Sequence, residues 1–109
     1  MISRTEEMLL LSVCRLQQEA FGANIREEAQ QITGKRYSVG GIYVPLDRLA
    51  RKGLLETEDA EPSPERMGRP RRRYKITKAG LAMLREARTL QESMWASLPD
   101  LIWQQLRLT

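Results

Sequence analysis

Apolar residues recur along this chain at spacings that separate helices from strands. Leu9, Val13, Leu16 and Ala20 lie three or four apart, the period of one helical face, and Met8 and Leu11 widen that face. Ser3 and Glu6 have capping-box spacing at the start of this helix, with Thr5 as an alternative cap, and Gly22 is the expected stop. A second helix is expected from about Asn24, with Ile25, Ala29 and Ile32 as its stripe, Gly34 as its end and TGKR as the turn after it. A third opens at Ser38, a natural N-cap, and carries Ile42, Leu46 and Leu49 at core spacing. Lys52 in its last turn suits the helix dipole, and Gly53 is a C′ signal.

The period then shortens to two. Leu54 to Glu58 and Arg72 to Ile76 read as short strands, the first with Leu55 and Thr57 alternating against Glu56 and Glu58. In the second, Tyr74 and Ile76 share one face, while Arg73 and Lys75 share the other. An antiparallel pair can set those glutamates across from Arg73 and Lys75, each such pair adding roughly 0.2–1 kcal/mol. The loop between the strands, with EPSPE and GRP, carries Arg66, Arg69, Arg71 and the borderline Arg72 free of any partner strand. Helical spacing returns after Thr77, which caps KAGLAMLREARTLQESMWASL. Leu84, Ala87, Met94, Leu98 and Leu101 come close to a heptad, flanked by Trp95, Ile102 and Leu106. Pro99 falls inside this pattern, so the helix either kinks there or ends and restarts in the amphipathic DLIWQQLRL.

Charge changes the picture at one place. Six of the ten residues in RMGRPRRRYK (Arg66 to Lys75) are Arg or Lys, directly after the acidic ETEDAEPSPE, while the whole chain of 109 residues carries only +4. That balance leans mildly toward phosphate-bearing partners. A single cysteine, Cys14, and no histidine exclude an intrachain disulfide, Cys/His zinc sites and histidine acid–base catalysis. Cys14 reads as a core thiol, since a nucleophile there has no histidine base. No metal or other cofactor is expected. Glu6 and Glu7 interrupt any leader-like start, and the longest apolar run, Met8 to Leu11, is too short to span a bilayer. A cytoplasmic, nucleoid-associated protein is the expectation.

The expected order is helix, helix, helix, hairpin, helix: a mainly α chain with a two-stranded β wing. Helices two and three, joined by a short turn, can form a helix-turn-helix whose second helix enters the major groove. That assigns a recognition helix to residues 38–52 and a wing to 54–76. Gly40 and Gly41 weaken the first turn of this helix, and Pro45 removes a hydrogen bond. A kinked, poorly optimised helix is one reading. Close approach of the backbone to a bulky anion is the other, because free N–H groups at a helix start attract phosphate. Tyr43 and Arg48 are candidate donors to phosphates or bases, as are Lys35 and Arg36 in the turn, and Arg69, Arg71 and Arg72 in the wing. For Tyr43 a half-buried core position is the rival reading. For Arg48 it is an ion pair with Asp47 or a nearby glutamate, and for Lys35 and Arg36 it is simple solubility. Trp95 and Trp103 can pack an interface or also line a cleft for a planar ligand.

The ordered set of residues also resembles a known family. Gly41, Ile42 and Tyr43, then Leu46, Arg48, Leu49, Lys52, Gly53 and Leu54, then Gly68 and Arg69, then Arg73, Tyr74, Thr77 and Gly80 are similar to the pattern of small PadR-type transcriptional regulators. The resemblance spans roughly residues 5 to 90. It implies a winged helix-turn-helix over 1–78, with residues 79–109 as a C-terminal dimerisation helix of the same compact unit. It also implies a homodimer, repression of nearby promoters in a bacterium, and contacts to double-stranded DNA from Ser38, Tyr43 and the wing arginines. The apolar stripe Leu84, Ala87, Met94, Trp95, Leu98, Leu101 and Ile102 is then the dimer interface. The chain departs from the pattern at Met67, where a small or polar wing residue is expected, and in its short C-terminal part, which leaves little room for a large pocket for a small-molecule effector. A winged-helix module that binds protein rather than DNA is the alternative, with ETEDAE and the C-terminal stripe as its surfaces. An enzyme is disfavoured, because no nucleophile–base pair or phosphate-binding glycine loop is present.

Overall fold

The computed structural model describes residues 1–60 and 71–109. Helix α1 (Arg4–Leu16) starts at Ser3, whose Oγ accepts from the Glu6 N–H at 3.1 Å while Glu6 Oε1 accepts from the Ser3 N–H at 2.8 Å. This reciprocal capping box selects Ser3 over Thr5. Leu9, Leu10 and Val13 of α1 are buried, whereas Leu11 is turned out. The helix ends earlier than expected. Gln17 takes a positive φ of 50°, a short 3-10 turn spans Gln17–Glu19, and α2 (Gly22–Thr33) begins at the glycine that was expected to stop α1. The reason lies in another element: a Cβ on Gly22 would sit 2.3 Å from the Tyr43 hydroxyl oxygen, so glycine there makes room for a ring rather than breaking a helix.

Ile25 and Ala29 face inward on α2, but Ile32 is 55% exposed and does not complete the stripe. It falls in the last turn of α2, which ends at Gly34 with φ 70° in the left-handed region. Helix α3 (Val39–Arg51) is capped as its sequence predicts, with Ser38 Oγ accepting from the Gly41 N–H at 2.9 Å. Ile42, Leu46 and Leu49 are fully buried. At its C-terminus Gly53 has φ 78°, its N–H donates to the Ala50 carbonyl, and the Leu54 N–H donates to that of Leu49, both at 3.0 Å. This is a Schellman end, and both Leu49 and Leu54 belong to the buried core.

Strands β1 (Leu55–Asp59) and β2 (Arg72–Ile76) pair antiparallel, with Glu56 opposite Lys75 and Glu58 opposite Arg73, as the alternation implies. Arg72 lies inside β2 opposite Asp59, and the Arg71 carbonyl accepts from the Ala60 N–H at 2.7 Å. Arg72, borderline in the sequence, therefore belongs to the strand and not to the free loop, because β1 runs one residue further than expected, to Asp59; Arg71 lies just outside β2 and is joined to the other strand's end by that single backbone bond. Arg66, Met67, Gly68 and Arg69 lie outside the described residues. On the far side of β2, Phe21 bridges Arg73, and the Tyr74 N–H donates to the Ala20 carbonyl at 2.9 Å. The wing is thus stitched to the α1–α2 junction as well as to β1.

Thr77 fastens the wing to α4 (Lys78–Ala96). Its Oγ1 donates to the Gly53 carbonyl at 2.7 Å and accepts from the Gly80 N–H at 3.0 Å. Gly80 must be small, since a Cβ there would meet the Leu54 carbonyl oxygen at 2.3 Å. At Pro99 the helix ends and restarts: α4 stops at Ala96, and α5 (Asp100–Arg107) takes Pro99 as its N-cap. The Cα radius of gyration is 16.8 Å with extents of 58 × 29 × 21 Å, against about 13 Å for a compact chain of this length. The C-terminal helices extend away from the core rather than wrapping it.

Candidate nucleic-acid interface

Burying Ile42, Leu46 and Leu49 forces the opposite face of α3 outward. Gly40, Val44, Arg48 and Arg51 form that face at helical spacing, and all are exposed. Val44 is 52% exposed, an aliphatic residue displayed rather than packed. A Cβ on Gly40 would meet nothing within 4 Å, so no internal contact demands glycine there. Arg48 and Arg51 have no ion-pair partner among the described residues, and Asp47 is turned to the wing instead of to Arg48. Val44 and Arg51 were not singled out from the sequence, although their spacing opposite the core stripe was there to find them.

The turn before α3 is braced from α2. Arg26 Nε donates to the Tyr37 carbonyl at 2.7 Å, and Gln30 Oε1 accepts from the Tyr37 N–H at 3.0 Å. Those two bonds hold the chain direction so that Lys35 and Arg36 stand exposed beside Ser38. Tyr43 is half-buried with its ring over Gly22 at the start of α2. Helix α2 has no side-chain cap there, and its first N–H groups share the neighbourhood of the Tyr43 hydroxyl, an arrangement suited to an anion.

The wing arginines occupy different settings. Arg71 stacks its guanidinium 3.6 Å from the Phe21 ring centroid, and Arg73 lies 5.1 Å from the same centroid. Arg73 also donates to Gln18 at 3.3 Å and pairs with Glu58 at 3.5 Å. Arg72 pairs with Asp47 at 3.4 Å and lies 3.7 Å from Asp59. Nothing in the local sequence around Phe21 signals its position between two arginines, because that contact joins segments far apart in the chain.

A second surface lies on α4 and α5. Leu84 and Ala87 are half-buried near α1, where Gln91 Nε2 donates to Glu7 at 2.8 Å. Further along, Met94 (53% exposed), Trp95, Leu101 (64% exposed) and Ile102 stand out, with Leu98 half-buried among them. The Trp95 and Trp103 rings are 5.6 Å apart and tilted by 40°. A groove of about 550 Å³ between α1 and α4, lined in part by Leu11, Leu84, Gln91 and Trp95, opens on this side. Burial pushes the Cys14 thiol up, so it stays protonated at neutral pH, and no cluster of metal-ligating side chains occurs among the described residues. No helix there is long and apolar enough to cross a membrane.

Comparison with known proteins supplies the family. Comparison with curated proteins finds no match. Among solved structures, a PadR-like transcription factor from Bacteroides fragilis is similar at 26% identity over 85% of this chain and 84% of its own, with a TM-score of 0.70. A PadR family transcription regulator from Clostridium difficile R20291 shares the fold at 20% identity, over 93% and 97% of the two chains, with a TM-score of 0.57. The hsRosR chain of a complex structure also shares it, at 20% identity over 98% and 85%, with a TM-score of 0.64. The model of the transcriptional regulator PadR-like family, whose members are DNA-binding regulators and not enzymes, matches residues 10–86. With its helix-turn-helix, its wing and that match over most of its length, the chain belongs to the PadR-like family of transcriptional regulators.

Proposed function

We propose that the protein is a sequence-specific repressor that binds double-stranded DNA as a homodimer, through α3 and the wing. The observation that carries this reading is the outward stripe of Gly40, Val44, Arg48 and Arg51, with Lys35 and Arg36 beside its N-terminus and without ion-pair partners among the described residues. In the major groove, Arg48 and Arg51 can donate to guanine edges or phosphates, and Val44 can meet a thymine methyl. Ser38, Gly40 and Tyr43 lie where the backbone of one strand would pass, and Arg69, Arg71 and Arg72 would reach an adjacent groove or phosphate from the wing.

The dimer reading rests on the apolar face of α4 and α5. Met94, Trp95, Leu101 and Ile102 stay exposed and Leu98 half-buried among the described residues, and a second copy of the same face would bury them. Two recognition helices would then address half-sites about 10 base pairs apart or a multiple of that.

The test is binding to DNA from upstream of the protein's own gene and to a scrambled duplex, each at several salt concentrations. A preference for the first with a steep salt slope is expected. Equal binding to both would reject autoregulatory recognition, and binding to neither would reject the DNA-facing reading of α3.

A further inference from the structure

The two elements proposed to face DNA are joined by one carboxylate. Asp47 lies on the flank of α3 beside the outward stripe, one residue before Arg48. Its Oδ1 accepts from the Tyr74 hydroxyl at 3.2 Å and from the Arg72 guanidinium at 3.4 Å, residues 27 and 25 positions away in β2. The two contacts differ in weight. Arg72 and Asp47 are both about half-exposed, so their ion pair is screened by solvent. Tyr74 is 1% exposed, and a buried hydroxyl without an acceptor is costly to leave. Burial first, then the Asp47 charge and hydrogen bond, push the Tyr74 hydroxyl up to about 12, so it remains a donor at any physiological pH.

Other contacts hold β2 to the α1–α2 junction. Arg71 and Arg73 cover the Phe21 ring, and the Tyr74 N–H is bonded to Ala20. Phe21 immediately precedes α2, so this side ties the wing to the first helix of the helix-turn-helix. On the α3 side, Asp47 is the polar tie from the recognition helix to β2 among the described residues.

We propose that Asp47 is a positioning residue for DNA recognition: by holding Tyr74 and Arg72 it sets the spacing and angle between the recognition helix and the wing. The inference rests on the DNA-binding reading above. A carboxylate on a surface meant for phosphate opposes binding by its charge, so its presence there is accounted for by what it aligns. Its removal should loosen alignment while slightly favouring general attraction to DNA.

The experiment compares Asp47→Ala, Asp47→Asn and Tyr74→Phe with the unaltered protein. The probes are a duplex selected by the unaltered protein from a random pool and a scrambled duplex of equal length. Asp47→Ala and Tyr74→Phe should lower the ratio of selected to scrambled affinity on the order of tenfold, with affinity for the scrambled duplex held or raised. Asp47→Asn retains an acceptor for Tyr74 and should keep the ratio near that of the unaltered protein while tightening binding to both duplexes. Equal loss on both duplexes, in step with a loss of folded protein, would mean a structural role only and would overturn the proposal. Hydrogen exchange without DNA gives a separate reading. Asp47→Ala should speed exchange of the β2 amides and leave the core of α3 protected, whereas unchanged β2 protection would reject the tie itself. Failure of the unaltered protein to select any duplex would reject the DNA-binding reading and the positioning role together, with the exchange result still deciding whether Asp47 couples the two elements.

Discussion

The winged unit and the C-terminal arm treat their apolar residues in opposite ways. Ile42, Leu46 and Leu49 of α3 are sealed among Leu9, Leu10, Val13, Ile25 and Tyr74, whereas Met94, Trp95 and Leu101 of α4 and α5 remain about half-exposed. Both regions are patterned at helical spacing, so pattern alone does not distinguish them. The difference is in what each stripe can reach. Helix α3 is surrounded by α1, α2 and the wing, while α4 past Gln91, the last residue bonded to α1, turns exposed, and α5 meets α4 through the tryptophan pair. A stripe inside the unit holds the chain in its fold. A stripe outside it calls for a second surface.

That contrast can be broken most directly at its extremes. Leu46→Ala should destabilise the folded chain by about 2–5 kcal/mol, since it opens a cavity at a fully buried position, and chemical denaturation would measure it. A loss below about 1 kcal/mol would mean that the α3 stripe is not the core. Trp95→Glu should do the reverse. The winged unit should stay folded by circular dichroism, while sedimentation shifts from dimer to monomer at micromolar concentration. If the dimer persists, the arm is not the proposed interface. Ser38→Ala sharpens the contrast within α3, because its cap supports the helix start and not the buried stripe. A cost of about 1 kcal/mol is expected, clearly smaller than that of Leu46→Ala.

The smallest effect is a pH dependence at α1. The backbone N–H of Ser3, then the Lys52 ammonium at 2.9 Å, hold the Glu6 carboxyl below the usual carboxylate value. A folded-state value below the unfolded one stabilises the chain above the unfolded pKa, and that contribution is lost as pH falls through the folded value. Thermal melts of the unaltered protein should therefore fall more steeply below about pH 4.5 than those of Glu6→Gln. Parallel acid limbs would show that the capping box contributes nothing through charge.

Several parts of the fold were legible because their signals are local. Ser38 as a cap, Gly34 and Gly53 as left-handed helix ends, and the opposition of Glu56 and Glu58 to Lys75 and Arg73 each depend on a few neighbouring residues or on strand alternation. The misreadings share another character. Gly22 looked like a helix stop, yet its smallness answers to Tyr43, which is distant in sequence. Ile32 fits the helical period and still faces out, because among the described residues the last turn of α2 borders an open groove beside α1 and is not packed over. The site followed the same division. Lys35, Arg36, Ser38 and Arg48 could be nominated from type and position along α3, but Asp47 reads as an ordinary surface acid until β2 is folded against it.

Periodicity, caps and turn residues therefore carried the order of the elements, the helix-turn-helix and the buried stripe of α3, since these depend on interactions within a turn or two of chain. Packing in three dimensions settled which glycine admits a ring, which arginines lie over Phe21, which carboxylate ties α3 to the wing, and which of two equally patterned stripes stays open to solvent. Those outcomes depend on pairs of residues that the backbone brings together from afar, and a one-dimensional pattern holds no distance between them.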